Sequence, residues 1–156
     1  MQYPDDLKIN NRVKLSNKNF KSCEKLYHGF DENDKDGDKI KFESIRFPDF
    51  SCNWSRFSKP YHVKFRENGK QTDGCYSFTV KTARYKNIAT PVHDPITKIM
   101  YENYSHIEIR LLENNEDIFH EPQKGRKPKK SNTAKEKRRE YRMNIVNKLK
   151  IEILPT

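Results

Sequence analysis

The chain lacks any long apolar run, and no stretch approaches the roughly 18 apolar residues that span a lipid bilayer. Its amino terminus, residues 1–6, has neither the basic region nor the apolar region of an export signal. Three cysteines, Cys23, Cys52 and Cys75, are too few and too far apart for a disulfide framework. These absences predict a soluble, cytoplasmic protein with reduced thiols and no membrane partner.

Glycine is also scarce, with five residues in the whole chain. The sequence contains no Walker loop, no dinucleotide-binding fingerprint and no nucleophile-elbow motif, which argues against the common nucleotide-dependent enzymes. The scattered residues Cys52, Cys75, His93 and His106 have no spacing typical of a zinc site. We expect neither a metal nor an organic cofactor, and whether the chain is an enzyme stays open.

One acidic segment resembles the calcium-binding loop of an EF-hand. Its first, third, fifth, sixth and twelfth positions are Glu32, Asp34, Asp36, Gly37 and Glu43. The segment departs from that family because Lys39 stands at the apolar eighth position and a strand-like alternation, not a helix, follows. We therefore expect a solvated acidic loop at residues 31–38 and assign no calcium site.

Aromatic residues make up 12% of the chain, and disordered chains are normally poor in them, so most of the chain is expected to fold. Alternating apolar and polar residues, typical of strands with one buried face, recur along the first 120 residues. The runs are Ile40–Phe42, Phe50–Trp54, Val63–Phe65, Tyr76–Val80 and Ile107–Leu111. Turn-forming residues at 58–60, 68–74 and 91–95 separate them.

One helix is predicted before these strands in the chain and one after them. Ser16 can cap a first helix whose apolar positions are Phe20, Cys23, Leu26 and Tyr27, with Gly29 ending it. Thr133 and Glu136 match a capping box, so a second, basic helix begins near Ala134. Leu149, Ile151 and Ile153 then alternate with charged residues as a final strand.

The combined patterns predict an α+β fold. We expect a mostly antiparallel β-sheet with a short N-terminal helix and a basic C-terminal helix followed by a final strand. Residues 1–120 form the core domain, and residues 121–133 form a basic linker that contains proline and glycine. The helix and strand of residues 134–156 are expected to dock on the core.

Positive charge is concentrated near the carboxyl end of the chain. Residues 121–156 contain twelve Lys or Arg against four Glu, whereas residues 1–120 contain twenty against eighteen Asp or Glu. Such a cluster attracts a polyanion, because each cation near a phosphate releases condensed counterions. The predicted nucleic-acid-binding residues are Lys124, Arg126, Lys127, Lys129, Lys130, Lys135, Arg138, Arg139 and Arg142. The partner is DNA or RNA in this interpretation, and an acidic protein subunit in the alternative one.

A second hypothesis makes the chain a small ribonuclease or toxin-like hydrolase. His106, Glu108 and Arg110 alternate with apolar residues, so a base, a carboxylate and a cation would share one face of a strand. His93 could supply a second imidazole. The same pattern is also typical of a solvated strand face without any catalytic role.

Overall fold

The computed structural model describes residues 3–66 and 71–156. The strands are β1 (Lys25–Phe30), β2 (Lys35–Asp36), β3 (Lys39–Ile40), β4 (Phe50–Trp54), β5 (Gly74–Thr79), β6 (Ala89–His93), β7 (Ile96–Lys98), β8 (Tyr101–Asn103), β9 (His106–Leu111) and β10 (Lys150–Ile153). The helices are α1 (Val80–Ala83) and α2 (Asn132–Lys148), and short 3₁₀ turns occur between strands. Within these described residues, neither helix is long and apolar enough to cross a lipid bilayer.

Six strands form one sheet in the order β10-β5-β1-β4-β9-β6, and each neighbouring pair is antiparallel. β2 with β3 and β7 with β8 form two separate hairpins. The last strand of the chain, β10, forms one edge of the sheet beside β5. The prediction of a mostly antiparallel sheet that ends in a helix and a strand is therefore confirmed.

One face of the sheet carries the main apolar core. Leu26, Phe50 and Ile109, from three adjacent strands, belong to this core and are buried. α2 packs against the same face through Tyr141 and Ile145, which are four residues apart and therefore share one side of the helix. Only the later turns of α2 are anchored in this way, because its earlier residues are mostly charged and exposed.

The opposite face of the sheet carries a smaller apolar cluster and many polar side chains. Tyr27 and Cys75 lie on this face and pack with Val63 from a 3₁₀ helix at Pro60–Lys64. That 3₁₀ helix and the β7–β8 hairpin border the polar part of the face, which leaves a cleft between them.

The predicted N-terminal helix is wrong. A single 3₁₀ turn occupies Asn17–Asn19, and Leu26 and Tyr27 lie instead in β1. β1 pairs with β4 on one side and β5 on the other, so long-range pairing outweighs the helical spacing of a short local segment. Gly29 does not end a helix. It lies inside β1, where a Cβ would stand 2.4 Å from the Oγ1 atom of Thr72.

Several other local predictions also change. Val63 lies in the 3₁₀ helix Pro60–Lys64, which begins with a proline whose fixed φ suits a helical first turn. Residues 91–93, predicted as a loop, belong to β6. Pro91 is tolerated there because β6 is an edge strand, where a missing N–H leaves no ladder bond unmade. The strand predicted at Ile40–Phe42 is reduced to the two residues of β3, Lys39 and Ile40. Residues 68–70 of the predicted 68–74 turn lie outside the described residues.

The basic helix begins slightly earlier than predicted. Ser131, not Thr133, is the capping residue, and its side-chain oxygen accepts a hydrogen bond from the backbone N–H of Ala134 at 3.2 Å. The segment that resembles an EF-hand loop is the β2–β3 hairpin between two 3₁₀ turns, with no flanking α-helix. Asp34 in that segment accepts a hydrogen bond from the backbone of Asp31.

Gly29→Ala is expected to destabilise the protein, because the new methyl group would overlap the buried side chain of Thr72. Overpacking of this kind costs about 1–3 kcal/mol, which urea denaturation would measure as a lower midpoint. Thr72→Ala removes the overlapping atoms, so the double variant should lose less stability than the two single variants added together. Strict additivity would show that the close approach does not matter.

His28 should make stability depend on pH. Burial lowers the pKa of His28 to about 4, although its Nδ1 donates a hydrogen bond to the carbonyl oxygen of Ser51 at 2.6 Å. The unfolded chain has a histidine pKa near 6.5, so the unfolded state takes up this proton first as the pH falls. The contribution of His28 is therefore complete above about pH 6.5 and is lost between about pH 6.5 and about pH 4.

The urea midpoint of His28→Gln, compared with that of the wild-type protein over this range, measures the contribution of His28. Other buried histidines, among them His62 and His93, also have a pKa lowered by burial and remain in both proteins. The variant should therefore show a flatter but not a flat pH dependence. Identical profiles for the two proteins would contradict the assignment to His28.

Candidate functional site

A cleft of about 550 Å³ lies on the polar face of the sheet. Successive side chains of a strand point to opposite faces, so His106 and Glu108 of β9 share this face while Ile107 and Ile109 belong to the core. Other lining residues include Asn53, Val63, Arg66, Asp94, Thr97, Tyr101, Asn103 and Lys124. The structure therefore brings two of the predicted catalytic residues to one cavity.

Arg110 lies two residues after Glu108 on β9, next to this site, and is only 4% exposed. Its Nε and Nη2 atoms donate to Glu108 Oε2 at 3.1 and 2.9 Å, and Nη2 also donates to Asp94 Oδ2 at 3.2 Å. Asp49 and Glu121 approach the same guanidinium at 3.5 and 3.7 Å. Arg110 is thus committed to four carboxylates and does not line the cleft, so it is placed to hold those groups and not to contact a ligand.

Lys124 reaches the cleft from the basic segment. Its Nζ donates to Asp94 Oδ2 at 2.9 Å and lies 4.0 Å from Glu108 Oε1. The hydrogen bond to Asp94 raises the pKa of Lys124. Burial alone would raise the pKa of Asp94, but the hydrogen bond and the charges of Lys124 and Arg110 outweigh burial and lower it. The pair is therefore ionised at neutral pH.

Charged side chains of both signs surround the cleft. Four carboxylates approach Arg110, and the cations in contact with them within the described residues are Arg110, Lys124 and Lys14, which pairs with Glu121. Arg66 and Lys98 also line the cleft. Counted with these two cations, the carboxylates are not in excess.

His106 is 8% exposed, and burial lowers its pKa. Its Nδ1 lies 2.7 Å from the carbonyl oxygen of Asp94, which can only accept a hydrogen bond, so Nδ1 carries the proton. The neutral ring then has its lone pair on Nε2. Asp94, His106 and Glu108 each offer one ligand atom within 4.8 Å of the others.

His93 does not join this site. It pairs with Ile107 across β6 and β9 and therefore lies on the apolar face, where it is fully buried. Its Nδ1 accepts a hydrogen bond from the backbone N–H of Leu15, and its Nε2 donates to the carbonyl oxygen of Tyr104. Both ring nitrogens are thus used in packing the core, and the two histidines proposed to act together are on opposite sides of the sheet.

The basic segment divides into internal and external cations. Lys124 binds Asp94 in the cleft, Arg126 donates to Glu116 at 2.8 Å, and Arg142 donates from Nε to the carbonyl oxygen of Ile45 at 2.8 Å. The remaining six predicted residues form no ion pair within the described part of the chain. These six, called the basic surface below, are Lys127, Lys129, Lys130, Lys135, Arg138 and Arg139.

Sequence reasoning missed two features of the cleft. Asp94 was not singled out, because the Pro91–Pro95 segment was interpreted as a loop and nothing in the spacing links it to His106. Lys124 was assigned to nucleic acid, although its nearest anions are Asp94 and Glu108. The pairing of β6 with β9 places Asp94 beside His106, and the path of the chain after β9 brings Lys124 to them.

Comparison with models of known protein families gives no match. Comparisons with curated protein sequences and with solved structures give no significant match either. The functional argument therefore rests on the residues of this chain.

Arg110→Met is expected to destabilise the protein by about 3–5 kcal/mol, because it leaves the buried carboxylate of Glu108 and the half-buried one of Asp94 without their shared cation. Urea denaturation would measure this loss. Lys127→Met removes the same charge from an exposed residue and serves as the control, with a midpoint close to that of the wild-type protein. Equal midpoints for the two variants would show that Arg110 does not hold the cluster together.

Proposed function

We propose that the protein binds nucleic acid through the basic surface, by contacts to the phosphate backbone. The observation that supports this proposal is that six cations on one continuous segment have no carboxylate partner within the described residues, whereas Lys124 and Arg126 of the same segment do. Cations without a partner in the protein can neutralise phosphates, and they then release the counterions condensed on the nucleic acid.

The helix arranges part of the basic surface in a stripe. Lys135, Arg138 and Arg139 follow at intervals of three and four residues, so they share one side of α2. Glu140 lies on another side, where it pairs with Lys86 and accepts a hydrogen bond from Tyr85. Glu140 is therefore directed away from the stripe.

The surroundings of the basic surface favour a polyanion over a protein partner. Protein interfaces normally have an apolar or aromatic centre. Residues 124–142 are all described and contain no exposed large apolar side chain, and Met143, at the next position, is a single one at 40% exposure. Lys127, Lys129 and Lys130 lie in an extended segment before the helix, where they can adapt to a phosphate backbone. An acidic protein subunit is the alternative outcome of the experiment below.

Replacing Lys129, Lys130, Arg138 and Arg139 by glutamine should weaken binding and flatten its salt dependence. Each phosphate contact contributes about 0.9 to the slope of log K against log salt for duplex DNA and about 0.7 for single strands, so the slope should fall by up to about 3.6 for duplex DNA. Salt-titrated fluorescence anisotropy with duplex DNA, single-stranded DNA and RNA would measure the slope and identify the preferred form.

A matched control removes four exposed lysines from elsewhere on the surface, namely Lys18, Lys21, Lys39 and Lys81. This variant has the same net charge as the first, so it should keep most of the slope if binding is local to the basic surface. Equal slopes for both variants would mean that binding follows net charge alone. Absence of binding at low salt would overturn the proposal and favour a protein partner.

A further inference from the structure

We propose that the cleft binds a divalent transition-metal ion through Asp94, His106 and Glu108. The proposal does not depend on nucleic-acid binding, because none of the three residues belongs to the basic surface. It rests on the positions of the three side chains, on which of their atoms are already engaged, and on the open cavity in front of them.

The fold places the three donors at one end of the cleft. His106 and Glu108 are two residues apart on β9, so their side chains share a face, and Asp94 directly follows the neighbouring strand β6. A ligand atom of each lies within 4.8 Å of the others. Ligands bound at about 2.1 Å in a tetrahedral site are about 3.4 Å apart, so shifts of about an ångström would close the site.

Each donor has one atom held by the protein and one atom left over. Glu108 Oε2 accepts both hydrogen bonds from Arg110, and Asp94 Oδ2 accepts those from Arg110 and Lys124. Within the described residues, Glu108 Oε1 and Asp94 Oδ1 accept no hydrogen bond. The Nε2 atom of His106 also accepts no hydrogen bond within the described residues, and the His106 side chain is more than nine-tenths buried. Three ligand atoms therefore accept no hydrogen bond within the described residues, and Lys124 Nζ lies 4.0 Å from one of them, Glu108 Oε1.

The contacts behind the donors are those that metal sites use. A metal-bound histidine typically donates its other ring N–H to a carbonyl oxygen or a carboxylate, as His106 does to Asp94. Ligating carboxylates are in turn held by hydrogen bonds, which Arg110 supplies from beneath.

The donor set selects the kind of ion. One imidazole nitrogen with two carboxylate oxygens suits zinc and the neighbouring first-row divalent ions, whereas magnesium and calcium prefer oxygen ligands alone. Structural zinc sites usually have four protein ligands, while three leave a position for water or a substrate. Here the open side faces a cavity of about 550 Å³, so a bound ion would present an exchangeable ligand to the cleft.

Lys124 competes with the ion in this arrangement. Its Nζ lies within 4.0 Å of both carboxylates, yet its side chain is 65% exposed and can move away. Because like charges repel, Lys124→Met should bind the ion at least as tightly as the wild-type protein does. Weaker binding by Lys124→Met would contradict this competition.

The test is titration of the chelator-treated protein with Co²⁺, followed by visible absorption, with Zn²⁺ as the competitor. We expect one Co²⁺ per chain with an absorption band that Zn²⁺ abolishes. Loss of a hydrogen bond behind a metal ligand costs about 10–100-fold in affinity, so loss of a ligand in His106→Gln should cost at least about 100-fold. Asp94→Asn, at a partly exposed position, gives a second test if His106→Gln does not fold.

Two control variants separate this site from other acidic or histidine-containing surfaces. His120→Gln removes an exposed imidazole, and Asp36→Asn alters the acidic hairpin at residues 31–38, so both should bind Co²⁺ as the wild-type protein does. Circular dichroism would establish that each variant is folded. Failure of the wild-type protein to bind Co²⁺, or unchanged binding by folded His106→Gln or Asp94→Asn, would overturn the proposal.

Discussion

The burial of Arg110 is the constraint on which the polar half of this protein depends. A guanidinium that is 4% exposed needs partners for its charge and its N–H groups, and it finds them in parts of the chain far apart in sequence. Asp49 precedes β4, Asp94 follows β6, and Glu121 begins the basic segment. Such a pairing adds little net stability compared with a well-packed apolar side chain, because desolvation offsets attraction. The effect of the ion pairs of Arg110 is to fix the positions of the segments that contain Asp49, Asp94 and Glu121.

The cleft follows from the same constraint. Arg110 holds one oxygen of Glu108 and one of Asp94, which orients both carboxylates in the lining of the cleft beside His106. It also accounts for the path of the chain after β9, since Arg110 Nη1 donates to the carbonyl oxygen of Pro122. Lys124 is brought to the carboxylates by that path. A residue that sequence reasoning placed in a ligand-contacting role thus acts from behind the site.

The basic segment shows what a count of charged residues can and cannot predict. Its composition indicates a polyanion partner, but composition does not distinguish an exposed cation from one that neutralises a carboxylate of the same chain. Lys124, Arg126 and Arg142 all contact acceptors in the core domain, at Asp94, Glu116 and Ile45. The six cations of the basic surface form no such contact within the described residues, so they remain available for a partner.

Features that depend on residues close together in the chain could be predicted from the sequence. Alternation of apolar and polar residues predicted β4, β9 and β10, and a capping pattern predicted the start of α2 to within two residues. The two-residue repeat of a strand also predicted that His106 and Glu108 share one face. Where local signals conflicted with pairing, as in β1 and in Pro91 of β6, the sequence was misleading. Tertiary structure alone brought Asp94 to His106, put His93 on the other face and divided the cations into two groups. The reason is that strand register and buried charge pairing join residues that no local pattern connects.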